Sequence, residues 1–84
     1  MKVVFLSDAF GQYVHWQDRD RKGLVKLNRL IEECRRHPFE GTGKPEPLKN
    51  DYSGWWSRRI DREHRLVYRV EGDALIIIQC RYHY

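Results

Sequence analysis

At Pro38 the hydrophobic pattern of this 84-residue chain changes its period. Before it, apolar residues recur at helical spacing; after Gly54 they alternate or cluster as they do in strands. Between the two lies His-Pro-Phe-Glu-Gly-Thr-Gly-Lys-Pro-Glu-Pro-Leu-Lys-Asn-Asp-Tyr-Ser, residues 37–53, with three prolines and two glycines. Proline fixes its own φ and biases the preceding residue away from the helix. This stretch therefore reads as a stiff loop, with a short extended piece around Glu46–Lys49. It is long for a small domain, and long loops inside compact folds tend to carry function. Neither flank is long enough to fold alone, so the loop is not a linker, and residues 1–84 read as one domain with one modest core.

Residues 2–6 (Lys-Val-Val-Phe-Leu) read as a short buried strand. Ser7 offers a helix cap, and Phe10, Tyr13, Val14 and Gln17 follow helical spacing to about Asp18. Asp20 offers a second cap. Leu24, Leu27, Ile31 and Cys34 then repeat on one helical face, ending near Arg36-His37. Three strand-like runs follow Gly54: Trp55–Asp61, Arg65–Glu71 and Ala74–Tyr82. Glu71-Gly72-Asp73 is a hairpin signal, and Asp61–His64 a weaker one. The order predicts an α+β two-layer sandwich. Two N-terminal helices pack on one face of an antiparallel sheet of four to five strands, the first strand beside the last.

Alternation assigns the faces. Leu66, Tyr68 and Val70 should meet the helices, leaving Arg65 and Arg69 on the open side. Pairing Ile60 with Leu66 keeps apolar residues together and sets Arg59 beside Arg65 on that open face; a one-residue slip would bury Arg59. Ile76, Ile77 and Ile78 are consecutive, so the last strand's faces stay undecided. Clustered arginines repel unless an anion lies between them. Pairing with Asp51, Asp61 and Glu63 at a solvated surface is the alternative.

The charge points the same way. Sixteen Lys+Arg against 12 Asp+Glu give +4, and residues 35–84 hold ten basic and seven acidic side chains, so a polyanion fits the second half better. Cys34 and Cys80 sit in apolar runs and read as buried reduced thiols of a cytosolic protein. No secretory signal or membrane span is visible. His15, His37, His64 and His83 lack metal-ligand spacing, so neither a metal nor a cofactor is expected.

RNA carries its own nucleophile, the 2′-hydroxyl. Cutting it without metal needs a base, an acid for the leaving 5′ oxygen, and a cation for the crowded phosphorus. Glu46, stiffened between Pro45 and Pro47, is a candidate carboxylate, and Arg65 a candidate cation. His83 and Tyr84 end the chain, where residues commonly fray, but they continue a β-rich run. A histidine titrates near neutrality, and a tyrosine can stack on a base.

These residues also carry a resemblance. Pro38-Phe-Glu-Gly-Thr-Gly-Lys-Pro-Glu-Pro-Leu-Lys49, Gly54-Trp-Trp-Ser-Arg-Arg-Ile60, Glu63-His-Arg-Leu-Val-Tyr68 and Cys80-Arg-Tyr-His-Tyr84 resemble blocks of the YoeB toxins of the RelE/ParE superfamily. Tyr13-Val-His-Trp-Gln17 is similar to that family's first helix. The resemblance implies a RelE-like fold and an endoribonuclease that cuts messenger RNA in the A site of the 70S ribosome, against its rRNA. It implies Glu46 as general base, Arg65 as phosphorane stabiliser, His83 as general acid and Tyr84 in substrate placement, with Lys49 and Arg59 on phosphates. It also implies a YefM-type antitoxin whose disordered segment folds onto a basic cleft with an aromatic rim, leaves a homodimer open, and involves no membrane. Two rivals use the same fold: a ParE-like protein that binds gyrase and cuts nothing, and a non-catalytic ribosome- or RNA-binding module. The Glu46, His83 and Tyr84 set argues against both.

Overall fold

Two apolar helical stripes and one half-buried sheet face meet in a single core. The computed structural model describes residues 1–82. Strand β1 is Lys2–Phe5, helix α1 Ser7–Arg19 and helix α2 Arg21–Arg36. Strands β2 (Glu46–Pro47), β3 (Trp56–Arg59), β4 (Arg65–Glu71) and β5 (Ala74–Gln79) follow, with a 3-10 turn at Asn50–Tyr52. Among the described residues no helix is long and apolar enough to cross a membrane.

Asp20 separates the helices as expected: its side chain accepts from Gly23 N–H at 2.9 Å, capping α2. The first cap differs. Ser7 already lies inside α1, and extended Leu6 holds the cap position without a side-chain bond. The buried stripe of α2 is Leu27, Leu30, Ile31 and Cys34. On α1, Ala9 and Trp16 are buried while Phe10 and Val14 stay exposed, so the apolar set read from the sequence is rotated away from the true core face.

The sheet order is β1-β5-β4-β3-β2. β1 lies beside β5 as expected, but parallel to it, so the sheet is mixed rather than antiparallel. Three successive reversals from β2 to β5 fix the direction of β5, and the helical pair returns the chain so that β1 and β5 agree. Cys34 and Cys80 are buried and unpaired. Burial pushes their thiols up to about 11 and about 12, so both stay protonated near neutrality and serve as core.

The register of β3 on β4 carries a correction. Arg59 does stand opposite Arg65, but Leu66 faces Arg58, not Ile60. Two residues from buried Ile60, Arg58 shares its inward face and is fully buried. Burying a guanidinium is tolerable only if its donors are satisfied. All five are. Nε donates to Tyr68 Oη at 3.1 Å; Nη1 donates to Glu33 Oε1 at 3.1 Å and Thr42 O at 3.2 Å. Nη2 donates to Glu40 O at 2.8 Å and to His37 O. Tyr68 O–H in turn donates to Pro38 O at 2.6 Å.

Arg58 thus ties α2, β4 and the loop from His37 to Thr42 into one unit. We expect Arg58→Met to cost about 3–5 kcal/mol, the usual loss when one member of a buried pair is removed, read as a lowered urea midpoint. Glu33 should matter less and in a pH-dependent way. The Thr42 amide, then the Arg58 guanidinium, hold its carboxyl below the ordinary glutamate value. That stabilisation is complete above the unfolded value and fades as pH falls through the folded one. Glu33→Gln should therefore flatten the acid limb of the stability curve; an unchanged limb would contradict the assignment.

Candidate active site

The proline-rich loop reaches the sheet as its edge strand. Glu46 pairs with Ser57 and Pro47 with Trp56. Two bonds flank this short pairing: Arg59 N–H to Gly43 O at 2.7 Å, and Leu48 N–H to Trp55 O at 2.9 Å. Gly43 has φ +85°, and a Cβ there would stand 3.0 Å from Arg59 O, so glycine is required on both counts. Beyond β2 the 3-10 turn closes a groove of about 500 Å³ that runs from Glu46 past Lys49 to Tyr52.

Partners across the sheet share a face. Glu46, Ser57, Val67 and Gln79 are successive partners from β2 to β5. Arg59 and Arg65 form the next outward row. Glu46 and Arg65 therefore lie on one face, two strands (~10 Å) and two residues (~7 Å) apart. The centre of this face is not open as read from the sequence. Ser57 is 2% exposed and Val67 0%, so they form a buried floor with polar groups around it. Arg69 stacks over Trp55 at 4.7 Å along the same face.

Arg65 is aimed by the β3–β4 turn. Its Nη1 donates to Asp61 O at 2.9 Å and His64 O at 3.1 Å. Two neighbouring carboxylates have other partners. Asp61 Oδ1 accepts from the Glu63 and His64 amides, and Glu63 lies 3.3 Å from His64 Nε2. Among the described residues no carboxylate pairs with Arg59, Arg65 or Lys49. Arg59 and Arg65 line a hollow of about 450 Å³ with Lys26, Arg62 and Asp61. Four cations around one carboxylate make it an anion-attracting surface.

β5 ends at Gln79, three residues before the expected Tyr82. The cause is side-chain competition for backbone groups. Gln12 Oε1 takes the Cys80 amide at 2.8 Å, and Trp16 Nε1 donates to Cys80 O at 2.7 Å, drawing the chain off the sheet toward α1. It then hooks back at Tyr82, φ 65°, whose carbonyl accepts from Arg65 N–H at 3.0 Å. His83 and Tyr84, read from the sequence as acid and substrate contact, lie outside the described residues. Glu46, Lys49, Arg59 and Arg65 are brought to the outer face and its rim. Arg58, Gln12 and His64 were not singled out by the sequence reading; only Arg58 had a signal, its two-residue spacing from Ile60.

Comparison with known proteins bears on this arrangement. Residues 5–84 match the model of the YoeB-like toxins of bacterial type II toxin-antitoxin systems. The chain belongs to the YoeB toxin family. It is 56% identical to Toxin YoeB of Streptomyces coelicolor over all 84 residues, covering 100% of both chains. The YoeB/ParE toxin from Agrobacterium tumefaciens superposes with a TM-score of 0.97 at 51% identity, again over 100% of both. YoeB of Staphylococcus aureus, solved as a dimer (TM-score 0.92) and as a heterotetrameric YoeB-YefM complex (0.91), is 42% identical in each, covering 100% of this chain and 98% of that one. The resemblance read from the sequence blocks is thereby shown, and the YoeB fold accounts for the two-helix layer on a five-stranded sheet.

Glycine 43 gives a local test of how this YoeB chain holds its edge strand. Gly43→Ala should destabilise by about 1–3 kcal/mol, the strain of a side chain at such a φ. Gly11→Ala, in α1 with open space around it, should gain up to about 1 kcal/mol. Denaturant titrations of the two variants should move in opposite directions; a neutral Gly43→Ala would mean the loop relaxes freely.

Proposed function

We propose that this YoeB-family toxin is a cytosolic, ribosome-dependent endoribonuclease that cuts mRNA in the A site and so arrests translation. The observation that carries the reading is the shared sheet face: Glu46 on β2 and Arg65 on β4, with no carboxylate on Arg65 among the described residues. Their separation leaves room for one ribose–phosphate unit between two long side chains. The cations of the adjoining hollow, Lys26, Arg59, Arg62 and Arg65, suit a phosphate backbone.

In this mechanism Glu46 takes the proton of the 2′-hydroxyl. The 2′ oxygen attacks phosphorus as the bond to the 5′ oxygen breaks. Arg65, with Nη1 anchored on two carbonyls, presents the rest of its fork to the phosphorane oxygens. His83 gives its proton to the leaving 5′ oxygen, and Tyr84 helps seat the substrate. The described tail ends at Tyr82, bonded to Arg65's own amide, which supports action by the next two residues at that arginine. Lys49 and Arg59 hold neighbouring phosphates. The products are a 2′,3′-cyclic phosphate and a 5′-hydroxyl. A YefM-type antitoxin is the proposed partner, by likeness to the Staphylococcus aureus complex, and a homodimer by likeness to the dimer from the same organism.

Primer extension on mRNA with and without 70S ribosomes tests the reading, beside a gyrase supercoiling assay. We expect cuts only with ribosomes and no effect on gyrase; gyrase inhibition without cleavage would favour a ParE-like binder. In the same assay Glu46→Gln should keep ribosome affinity while single-turnover cleavage falls by roughly 10²–10⁴. Undiminished cleavage would remove Glu46 from the mechanism.

The cations should divide into two kinds. Arg65→Lys keeps charge but loses the planar fork, so the rate should fall steeply with little change in binding. Lys49→Ala and Arg59→Ala should weaken binding as well, most at low salt, and make the salt dependence of binding shallower. A wild-type rate for Arg65→Lys would reduce Arg65 to a general electrostatic contact.

A further inference from the structure

His64 immediately precedes Arg65, yet its ring does not face the phosphate hollow. It packs edge-on against Trp16 at 5.1 Å and against the Tyr82 ring at 5.7 Å. Its backbone is fixed as well: Asp61 Oδ1 accepts its amide at 2.7 Å, and Ile60 N–H donates to its carbonyl at 3.0 Å. The ring is therefore a rigid post set on the β3–β4 turn.

What the post holds is the chain's final hook. Tyr82 N–H donates to His64 Nδ1 at 2.6 Å. Tyr82 has φ 65°, a left-handed conformation uncommon for a tyrosine, and it persists only where neighbours over-determine it. Three bonds do so: the amide to His64, and the carbonyl accepting from Arg65 N–H and from Gln79 Nε2, each at 3.0 Å. An accepting Nδ1 requires the ring proton on Nε2, and that nitrogen lies 3.3 Å from Glu63 Oε2. Glu63 thus favours the tautomer that leaves Nδ1 ready to accept.

We propose that His64 is a positioning residue for the cleavage reaction: its ring holds the Tyr82 amide and so fixes the point from which the chain leaves Tyr82. The role rests on the ribonuclease reading given above. His64 touches no reacting atom. It acts through the direction it imposes on the chain leaving Tyr82, and misplacing a catalytic group by about an ångström can cost on the order of 100-fold in rate.

The test compares three substitutions. His64→Asn places a carbonyl oxygen near the position of Nδ1 and should still accept from the Tyr82 amide. His64→Gln carries its oxygen too far out, and His64→Ala has none. Two readouts are taken: the Tyr82 amide proton shift in NMR spectra of the free protein, and single-turnover cleavage with measured affinity on programmed ribosomes. Wild type and His64→Asn should share a downfield Tyr82 amide and cut within about threefold of each other. The Gln and Ala variants should lose that shift and cut about 100-fold more slowly at unchanged ribosome affinity. Asn and Gln differ by one methylene, so their comparison stands even if the Ala variant unfolds. A Tyr82 amide that does not move in His64→Gln overturns the bond. A moved amide with wild-type cleavage overturns the positioning role. A wild type that cuts no message overturns the ribonuclease reading and this role with it, while the amide shift still reports separately whether the bond exists.

Discussion

The buried guanidinium of Arg58 is the constraint on which the rest of the structure depends. A loop with three prolines and two glycines has little regular backbone pairing of its own. Arg58 supplies partners to its carbonyls, taking those of His37, Glu40 and Thr42, while Glu33 accepts the Thr42 amide at 2.6 Å. Each of these carbonyls accepts from a charged donor, a bond worth about 1.5–3 kcal/mol. The loop accordingly has one docked arrangement, and that arrangement delivers Glu46 to the sheet edge. Gly41, at φ +120°, completes the fit, since a Cβ there would collide with Glu33.

A second set of bonds fixes the other end of the same face. Gln12 and Trp16 of α1 take the backbone of Cys80, and His64, Arg65 and Gln79 take that of Tyr82. Both segments that flank Arg65 are thus irregular chain held by side chains of the regular elements. Such an arrangement suits a site in which groups from the loop and the tail must meet over a rigid sheet. The sheet's outer centre is buried at Ser57 and Val67, while the hollow beside it is lined mainly by cations.

Much of this was legible in the sequence, because two periodicities and a proline cluster separate the layers. Helix limits, the Asp20 cap and the Glu71-Gly72-Asp73 turn follow from local rules; Arg59 does stand beside Arg65, though not in the register that pairs Ile60 with Leu66. The errors have physical causes. Periodicity tells which face a strand buries but not its direction, so the parallel β1 was unreadable. Three consecutive isoleucines cannot alternate; the chain answers with an irregularity that steps β5 from Ile77 opposite Tyr68 to Gln79 opposite Val67. Arg58 was hidden by the habit of placing arginine outside, though its two-residue spacing from Ile60 put it inward. The end of β5 depends on bonds between α1 and Cys80, residues more than sixty positions apart, for which no local pattern exists. Of the candidate site, the sheet-borne residues were readable from alternation, while the roles of His83 and Tyr84 rest on family resemblance.

The central claim is that the 2′-hydroxyl of a ribosome-bound message attacks its own phosphate between Glu46 and Arg65. The chemistry of the cut ends tests it most directly. Message cleaved by the wild-type protein on programmed 70S ribosomes should be recovered and its termini identified by mass spectrometry. The account predicts a 2′,3′-cyclic phosphate on the upstream fragment and a 5′-hydroxyl on the downstream one. A 3′-hydroxyl with a 5′-phosphate would mean that water, not the ribose, is the nucleophile, and would contradict the account.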